Sequence, residues 1–293
     1  MPHRSTFRAK MVRPAPELVV APLALDPLSA ALAVRTGFEA VYLGGGGLGY
    51  ARAVSEALLT TTEMAEACRQ ITERVDVAVV VDGGVGFGDA LHMARMVRLL
   101  EQAGAAGVEI EDQVAPKRAH HHKGVEHLVT AEEMAGKIRA ACDARREGLV
   151  IIVRCNAFAH EPLEAALERL RLYEEAGADL VMPMTRTPEQ FAAVSAQTSA
   201  PLATMTIGPS RPVAELLAAG FALSVDPMSA TVLAYRAIKG GYEGLRDGKG
   251  YGMTAAEVMA IIHEIGDTIR IEEFYEIEAR TTERALYAKD TGQ

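Results

Sequence analysis

The sequence predicts an α/β chain folded as one (β/α)8 TIM barrel with additional C-terminal helices. Short runs rich in Val, Ile and Leu alternate strictly with longer segments of helical period. The alternation repeats eight times over roughly 230 residues, the number of units such a barrel needs. Glycines Gly104, Gly177 and Gly220 stand where predicted helices should stop. A doubly wound open sheet is the alternative, but it seldom requires eight such regular units.

Strands are predicted at 18–23, 40–44, 77–82, 107–112, 149–155, 180–184, 202–206 and 223–226. Helices follow them at 27–36, 61–74, 89–103, 131–146, 163–176, 188–197, 212–218 and 228–246. Asp26 precedes the first helix, and Thr130 with Glu133 forms a capping box before the fourth. After the eighth helix, 247–252 is a glycine-rich loop. From Thr254 to about Leu286 a further helix is expected, with Val258, Ile261, Ile262 and Ile265 at helical spacing. No linker interrupts the chain, so 1–293 reads as a single barrel domain. Its 254–293 extension is expected to pack on a neighbouring subunit, or alternatively to fold back on its own barrel.

Composition narrows the function. With 49% apolar residues, the 293-residue chain can bury a large core. No apolar run reaches the ~18 residues that span a membrane. The basic stretch 1–13 has no apolar segment behind it, so no secretory signal is read there. Cys68, Cys142 and Cys155 lie far apart without zinc spacing, and a sparse, odd count suits a reducing cytoplasm. A net charge of -9 argues against nucleic acid or an anionic membrane as partner. Trp is absent and aromatics are only 5%, which disfavours a sugar- or base-stacking surface.

In a barrel the functional groups collect at the C-terminal ends of the strands. Those ends read Gly44 to Gly47, then Asp82-Gly83-Gly84, then Glu109, Glu111, Asp112 and Gln113. Arg154-Cys155-Asn156, Thr204 with Thr206, and Asp226 follow. Strand alternation puts Glu109 and Glu111 on one face, toward the barrel mouth. Asp82 and Glu111 are then expected as neighbours on adjacent strands. Two carboxylates beside a guanidinium suit a hard cation bound to a carboxylic acid; few oxygen ligands favour Mg²⁺, with Mn²⁺ in its place. Arg154 would grip the substrate carboxylate with its planar fork. The four glycines either offer backbone N–H groups to a second carboxylate or form a close-packed turn. Asp82 and Arg154 have a structural alternative as an ion pair. Lys117-Arg118-Ala119-His120-His121-His122-Lys123-Gly124 is a basic loop beside these acids, suited to closing over an anion and moving protons, or else to a solvated turn. Cys155 reads as a packed residue, with nothing nearby to activate it.

Together these residues resemble the isocitrate lyase and phosphoenolpyruvate mutase superfamily, in particular its 2-methylisocitrate lyase-like branch. The resemblance covers almost the whole chain. It rests on Val20-Ala21-Pro22, Asp26-Pro27-Leu28-Ser29-Ala30, Tyr42-Leu43-Gly44-Gly45 and Asp82-Gly83-Gly84-Val85-Gly86-Phe87-Gly88. It continues through Ile110-Glu111-Asp112-Gln113, Pro116-Lys117-Arg118, Val153-Arg154-Cys155-Asn156-Ala157 and Tyr173 to Asp179. It implies a Mg²⁺-dependent barrel that handles 2-oxo or 2-hydroxy dicarboxylates through an enolate, assembled as a homotetramer that exchanges C-terminal helices.

The resemblance also implies roles. Asp82 would bind the metal directly and Glu111 through water. Tyr42, Gly44, Gly45, Gly46, Arg154 and Thr204 would meet the substrate, Lys117 and Arg118 would pair with its charge as the loop closes, and Asp82 would reach it through the metal. The departures are specific. Ala119 stands where the lyases carry the Cys that moves the proton, and Gly84 where the metal loop holds a second Asp. Ser55 or Glu56 falls near a further Asp after strand two, Thr204 at an Asn and Met184 at a Glu. His121 first, and His120 second, are the expected replacements for the Cys, since imidazole titrates near neutrality. The expected activity is cleavage of a carbon–carbon bond in a small 2-hydroxy or 2-oxo dicarboxylate. Two alternatives stay open: a 2-oxo acid decarboxylase of the oxaloacetate type, which needs no acid to start, and a binding protein with impaired catalysis.

Overall fold

The computed structural model describes residues 2–146 and 148–284. Its strands are β1 (Val19–Ala21), β2 (Ala40–Leu43), β3 (Ala78–Asp82), β4 (Gly107–Glu111), β5 (Val150–Cys155), β6 (Leu180–Pro183), β7 (Leu202–Met205) and β8 (Phe221–Val225). They form one parallel sheet in the order β1-β8-β7-β6-β5-β4-β3-β2. The ring closes just past β1, where Tyr42 N donates to Pro22 O and Ala24 N to Tyr42 O, at 2.8 and 2.9 Å. The expected (β/α)8 barrel is therefore the fold.

The helices are α1 (Pro2–Lys10), α2 (Pro27–Arg35), α3 (Gly45–Ala51), α4 (Thr61–Thr72), α5 (Ala90–Gln102), α6 (Ala131–Ala144), α7 (Leu163–Glu175), α8 (Pro188–Gln197), α9 (Val213–Ala218), α10 (Ser229–Arg246), α11 (Ala255–Thr268) and α12 (Ile271–Arg280). The chain divides into two compact units, 1–232 and 233–293. Among the described residues no helix is long and apolar enough to cross a membrane.

Strand alternation divides the first unit's core in two. Val41, Leu43, Val79, Val81, Val108, Ile110, Ile151 and Val153 face the helices. Tyr42, Val80, Ile152 and Met182 fill the barrel interior. Each fully buried aliphatic side chain contributes about 1.5–3 kcal/mol. On β4 the same alternation sends Val108 and Ile110 outward and leaves Glu109 and Glu111 on the interior face.

Apart from shifts of strand ends, three elements differ from expectation. The first, α1, was not predicted, because its composition is polar. Phe7 and Met11 nonetheless join the interior cluster. Arg8 pairs with Asp179 at 2.9 Å, and Arg13 donates to the carbonyls of Thr198 and Ser195 at 2.7 and 2.6 Å. The second, α3, begins inside the glycine run: Gly44 is its N-cap and Gly45 to Gly47 its first turn. Glycine's poor helix propensity hides such a turn from the sequence. The third is the extension, which is two helices in place of one, broken at Arg270 in the left-handed region (φ 59). Its start is as expected, with a Thr254–Glu257 capping box. Leu286, the expected end, lies outside the described residues. Strand β8 begins two residues before its predicted start, at Phe221.

Candidate active site

Asp82 closes β3, and backbone donors hold both its oxygens: Gly45 N at 2.9 Å and Gly84 N at 2.8 Å. Burial raises its pKa. Gly83 behind it has no room for a side chain, since a Cβ would meet Glu109 O, Met96 Sδ and Val108 Cγ1, each at 2.8 Å. Gly84 adopts φ +50, and its Cβ direction is open. The register pairs Asp82 with Glu109, and Glu111 with Arg154. The stagger of a barrel thus shifts the expected Asp82–Glu111 neighbourhood by two residues.

Glu109 and Glu111 are each 1% exposed. Tyr42 Oη donates to Glu109 Oε2 at 2.7 Å, and Arg154 Nη1 lies 3.7 Å from Glu109 Oε1. Burial, then the charge of Asp82, pushes the Glu109 carboxyl up to about 8. Burial would raise Glu111 too, yet Lys117 and Arg154 hold it below the usual carboxylate range. Asn156 organises this layer. Its Nδ2 donates to Glu111 Oε2 and Asp112 Oδ1, both at 3.1 Å, and its Oδ1 accepts from Arg154 Nε at 2.9 Å. Tyr173 Oη donates to Asp112 Oδ2 at 3.0 Å, which fixes Asp112 as a structural acid. Cys155 is fully buried and burial drives its thiol far up, as a packed residue requires.

The basic loop reaches over these acids. Lys117 Nζ lies 2.7 Å from Glu111 Oε1 and 2.9 Å from Glu56 Oε1. Burial would lower the Lys117 pKa, but Glu111 and Glu56 raise it. Ala119–Lys123 forms a 3-10 turn ended by Gly124 in the left-handed region. His121 Nδ1 meets Arg118 O at 2.7 Å, and its Nε2 makes a short ion pair with Glu56. That contact raises the His121 pKa. The cleft, about 670 Å³ with its open mouth, is lined by Gly45, Glu56, Asp82, Gly84, Phe87 and Lys117 among others.

A hard divalent cation fits these residues. Glu56 and Asp82 line the cleft, Glu111 is buried beside it, and the cationic Lys117 nitrogen sits between Glu56 and Glu111. Glu111 Oε1 is fully buried and accepts no hydrogen bond of proper angle among the described residues, although Lys117 is within ion-pair distance. An oxygen so placed is free to face a metal.

The structure gathers Tyr42, Gly44, Gly45, Gly46, Asp82, Glu111, Lys117, His121 and Arg154 into this region. Gly45 N is already engaged by Asp82, and Leu48 N donates to Gly44 O at 3.0 Å. Of Ser55 and Glu56, it is Glu56 that faces the cleft, while Ser55 Oγ meets His122 Nε2 at 3.1 Å. Three expected residues stand elsewhere. Arg118 and His120 are exposed. Thr204 pairs in register with Ser224 and lines a separate polar cavity with Arg186 and Arg211. Two contributors were placed at strand ends by the sequence without a role: Glu109, two residues before Glu111, and Asn156, two residues after Arg154.

Residues 7–245 match the family model described as phosphoenolpyruvate phosphomutase. A 2-methylisocitrate lyase of Aeropyrum pernix is 42% identical over 219 residues, covering 73% of this chain and 70% of that protein. A 2,3-dimethylmalate lyase of Eubacterium barkeri is 35% identical, covering 89% of this chain and 93% of its own. A solved oxaloacetate acetylhydrolase, in complex with 3,3-difluorooxalacetate, superposes with a TM-score of 0.85 at 27% identity, over 96% of this chain and 97% of its own.

Proposed function

This chain belongs to the phosphoenolpyruvate mutase/isocitrate lyase superfamily, and on that premise we propose that it is a Mg²⁺-dependent carbon–carbon lyase acting on a small 2-hydroxy or 2-oxo dicarboxylate. The observation that carries the reading is the convergence of Asp82, Glu111 and Arg154 at neighbouring strand ends with Glu56 and Lys117 from two loops.

Asp82 and Glu111 hold the metal in this proposal. Bound there, Mg²⁺ supplies a Lewis acid for the enolate oxygen. Arg154, held by Asn156 and flanked by Glu109 and Glu111, binds a substrate carboxylate and offsets the negative charge that develops. Lys117 gives up part of its contact with Glu111 to pair with the substrate. Cleavage of a 2-hydroxy acid takes one proton from the hydroxyl and returns one to the carbon of the departing acid. His121, in place of the absent Cys at Ala119, supplies the second proton from Nε2, and Glu56 orients it.

The test is a panel of 2-alkyl malates, isocitrates and oxaloacetate, turned over with Mg²⁺. A 2-oxo acid with a second acid product is expected. Carbon dioxide as the product would move the assignment to a decarboxylase, a reading that Ala119 favours because decarboxylation needs no acid to begin.

A homo-oligomer, with a tetramer as the finer expectation, belongs to the same proposal. The helices α10, α11 and α12 contain no buried residue, and Leu233, Tyr235 and Tyr242 are 64–70% exposed. Apolar faces of this extent suit burial against a second copy. Three free cysteines fit a cytoplasmic location.

A further inference from the structure

His121 and His122 are consecutive on a 3-10 turn, where successive side chains diverge by about 120°. Their rings nevertheless converge, with centroids 3.9 Å apart. His121 Nε2, a ring nitrogen of His122 and a Glu56 oxygen all lie within 4.8 Å of one another. His121 Nδ1 is set to donate its proton to Arg118 O, which fixes the tautomer and aims the Nε2 lone pair at the cluster. Metal-ligating histidines are held in this way. His122 Nε2 meets Ser55 Oγ at 3.1 Å, so the ion would take its Nδ1 or displace that contact.

We propose that Glu56, His121 and His122 form a second cation site, for a borderline transition ion such as Zn²⁺, distinct from the oxygen-lined Mg²⁺ position. Two imidazoles and a carboxylate suit Zn²⁺, Co²⁺ or Ni²⁺, whereas Mg²⁺ prefers oxygen alone. Bonds of ~2.0–2.1 Å in a tetrahedral site need donors about 3.3 Å apart. The exposed His122 side chain can close that gap by rotation. Binding replaces the proton that His121 shares with Glu56, and it ties the 119–123 turn to the 3-10 turn Glu56–Leu58. Zn²⁺ would thus latch the loop that carries Lys117.

The test is calorimetric titration of the intact chain with Zn²⁺ at saturating Mg²⁺. One Zn²⁺ per chain is expected beyond the Mg²⁺. His122→Ala should weaken it by at least the ~10–100-fold that losing even an outer partner costs, with Mg²⁺ binding unchanged. Co²⁺ should give tetrahedral visible absorption that the variant lacks. Trypsin cleavage after Arg118 or Lys123 should slow with Zn²⁺ in the parent and not in the variant. His122 is exposed, so its truncation removes no core packing, and circular dichroism checks the fold. No Zn²⁺ binding, Zn²⁺ that displaces Mg²⁺ one for one, or equal affinity in the variant would overturn the site. These readouts need no turnover, so they stand or fall separately from the lyase reading.

Discussion

Lys117 and Glu111 form a buried ion pair at 2.7 Å in which the ammonium occupies ground that a divalent cation would share. The same nitrogen bridges to Glu56, so one lysine neutralises acids from two separate segments. Substitution by Met removes this cation from both acids, and although His121 and Arg154 stay near them, breaking one side of a buried pair costs up to about 3–5 kcal/mol. In chelator, Lys117→Met should therefore lower the urea midpoint strongly. Saturating Mg²⁺ should restore most of it, while turnover stays low. An unchanged midpoint in chelator would show that the bridge contributes little.

Metal removal should abolish activity, and millimolar Mg²⁺ or Mn²⁺ should restore it. Asp82→Asn and Glu111→Gln should each raise the metal concentration required, because each removes an anion at close range. Full turnover with verified absence of metal would exclude this assignment.

His121→Ala should lower kcat by ~10²–10⁴, the range for a positioned acid. Glu56 raises the His121 pKa above the ordinary value of ~6.5. The protonated acid therefore persists to higher pH than in a free imidazole and is lost as pH rises through the raised pKa. The parent should show an alkaline limb above ~6.5 that is missing in His121→Ala. His120→Ala, at an exposed position, should leave the profile intact.

The metal loop makes opposite predictions at adjacent glycines. Gly83→Ala forces a Cβ against three atoms at 2.8 Å and should lose ~1–3 kcal/mol, read as a lower Tm. Gly84→Asp has open space, and aspartate tolerates the left-handed region at ~1–2 kcal/mol. It places a further carboxylate beside Asp82, so calorimetry should show Mg²⁺ affinity rising by about tenfold or more.

Truncation before Thr254 should reduce the oligomer found by light scattering, since it removes α11 and α12. A soluble truncated chain with the parent's assembly would reject the proposed role of these helices.

The barrel was legible because each βα unit announces itself locally. Val79 to Val81 reads as a buried strand, and Thr130 with Glu133 reads as a helix start. Asp82, Glu111 and Arg154 were legible for the same reason: a strand end in this fold is a functional address. Glu56 was harder to assign than its neighbour Ser55, because it sits on an irregular turn whose direction no periodicity fixes. The Asp82–Glu109 pairing depends on inter-strand stagger, a property of the closed ring that no single strand encodes. Thr204 shares the face of Leu202 by strand alternation, toward the helices and away from the barrel interior.

The helix α1 has its anchors far along the chain. Arg8 needs Asp179, and Arg13 needs carbonyls at 195, 198, 200 and 219. During synthesis this segment emerges before every strand, yet its partners exist only after β6 to β8 have been made. It must wait undocked while the ring assembles, with Phe7 and Met11 still in water. Docking of this segment is thus a late, long-range event in folding, although it precedes every strand of the ring.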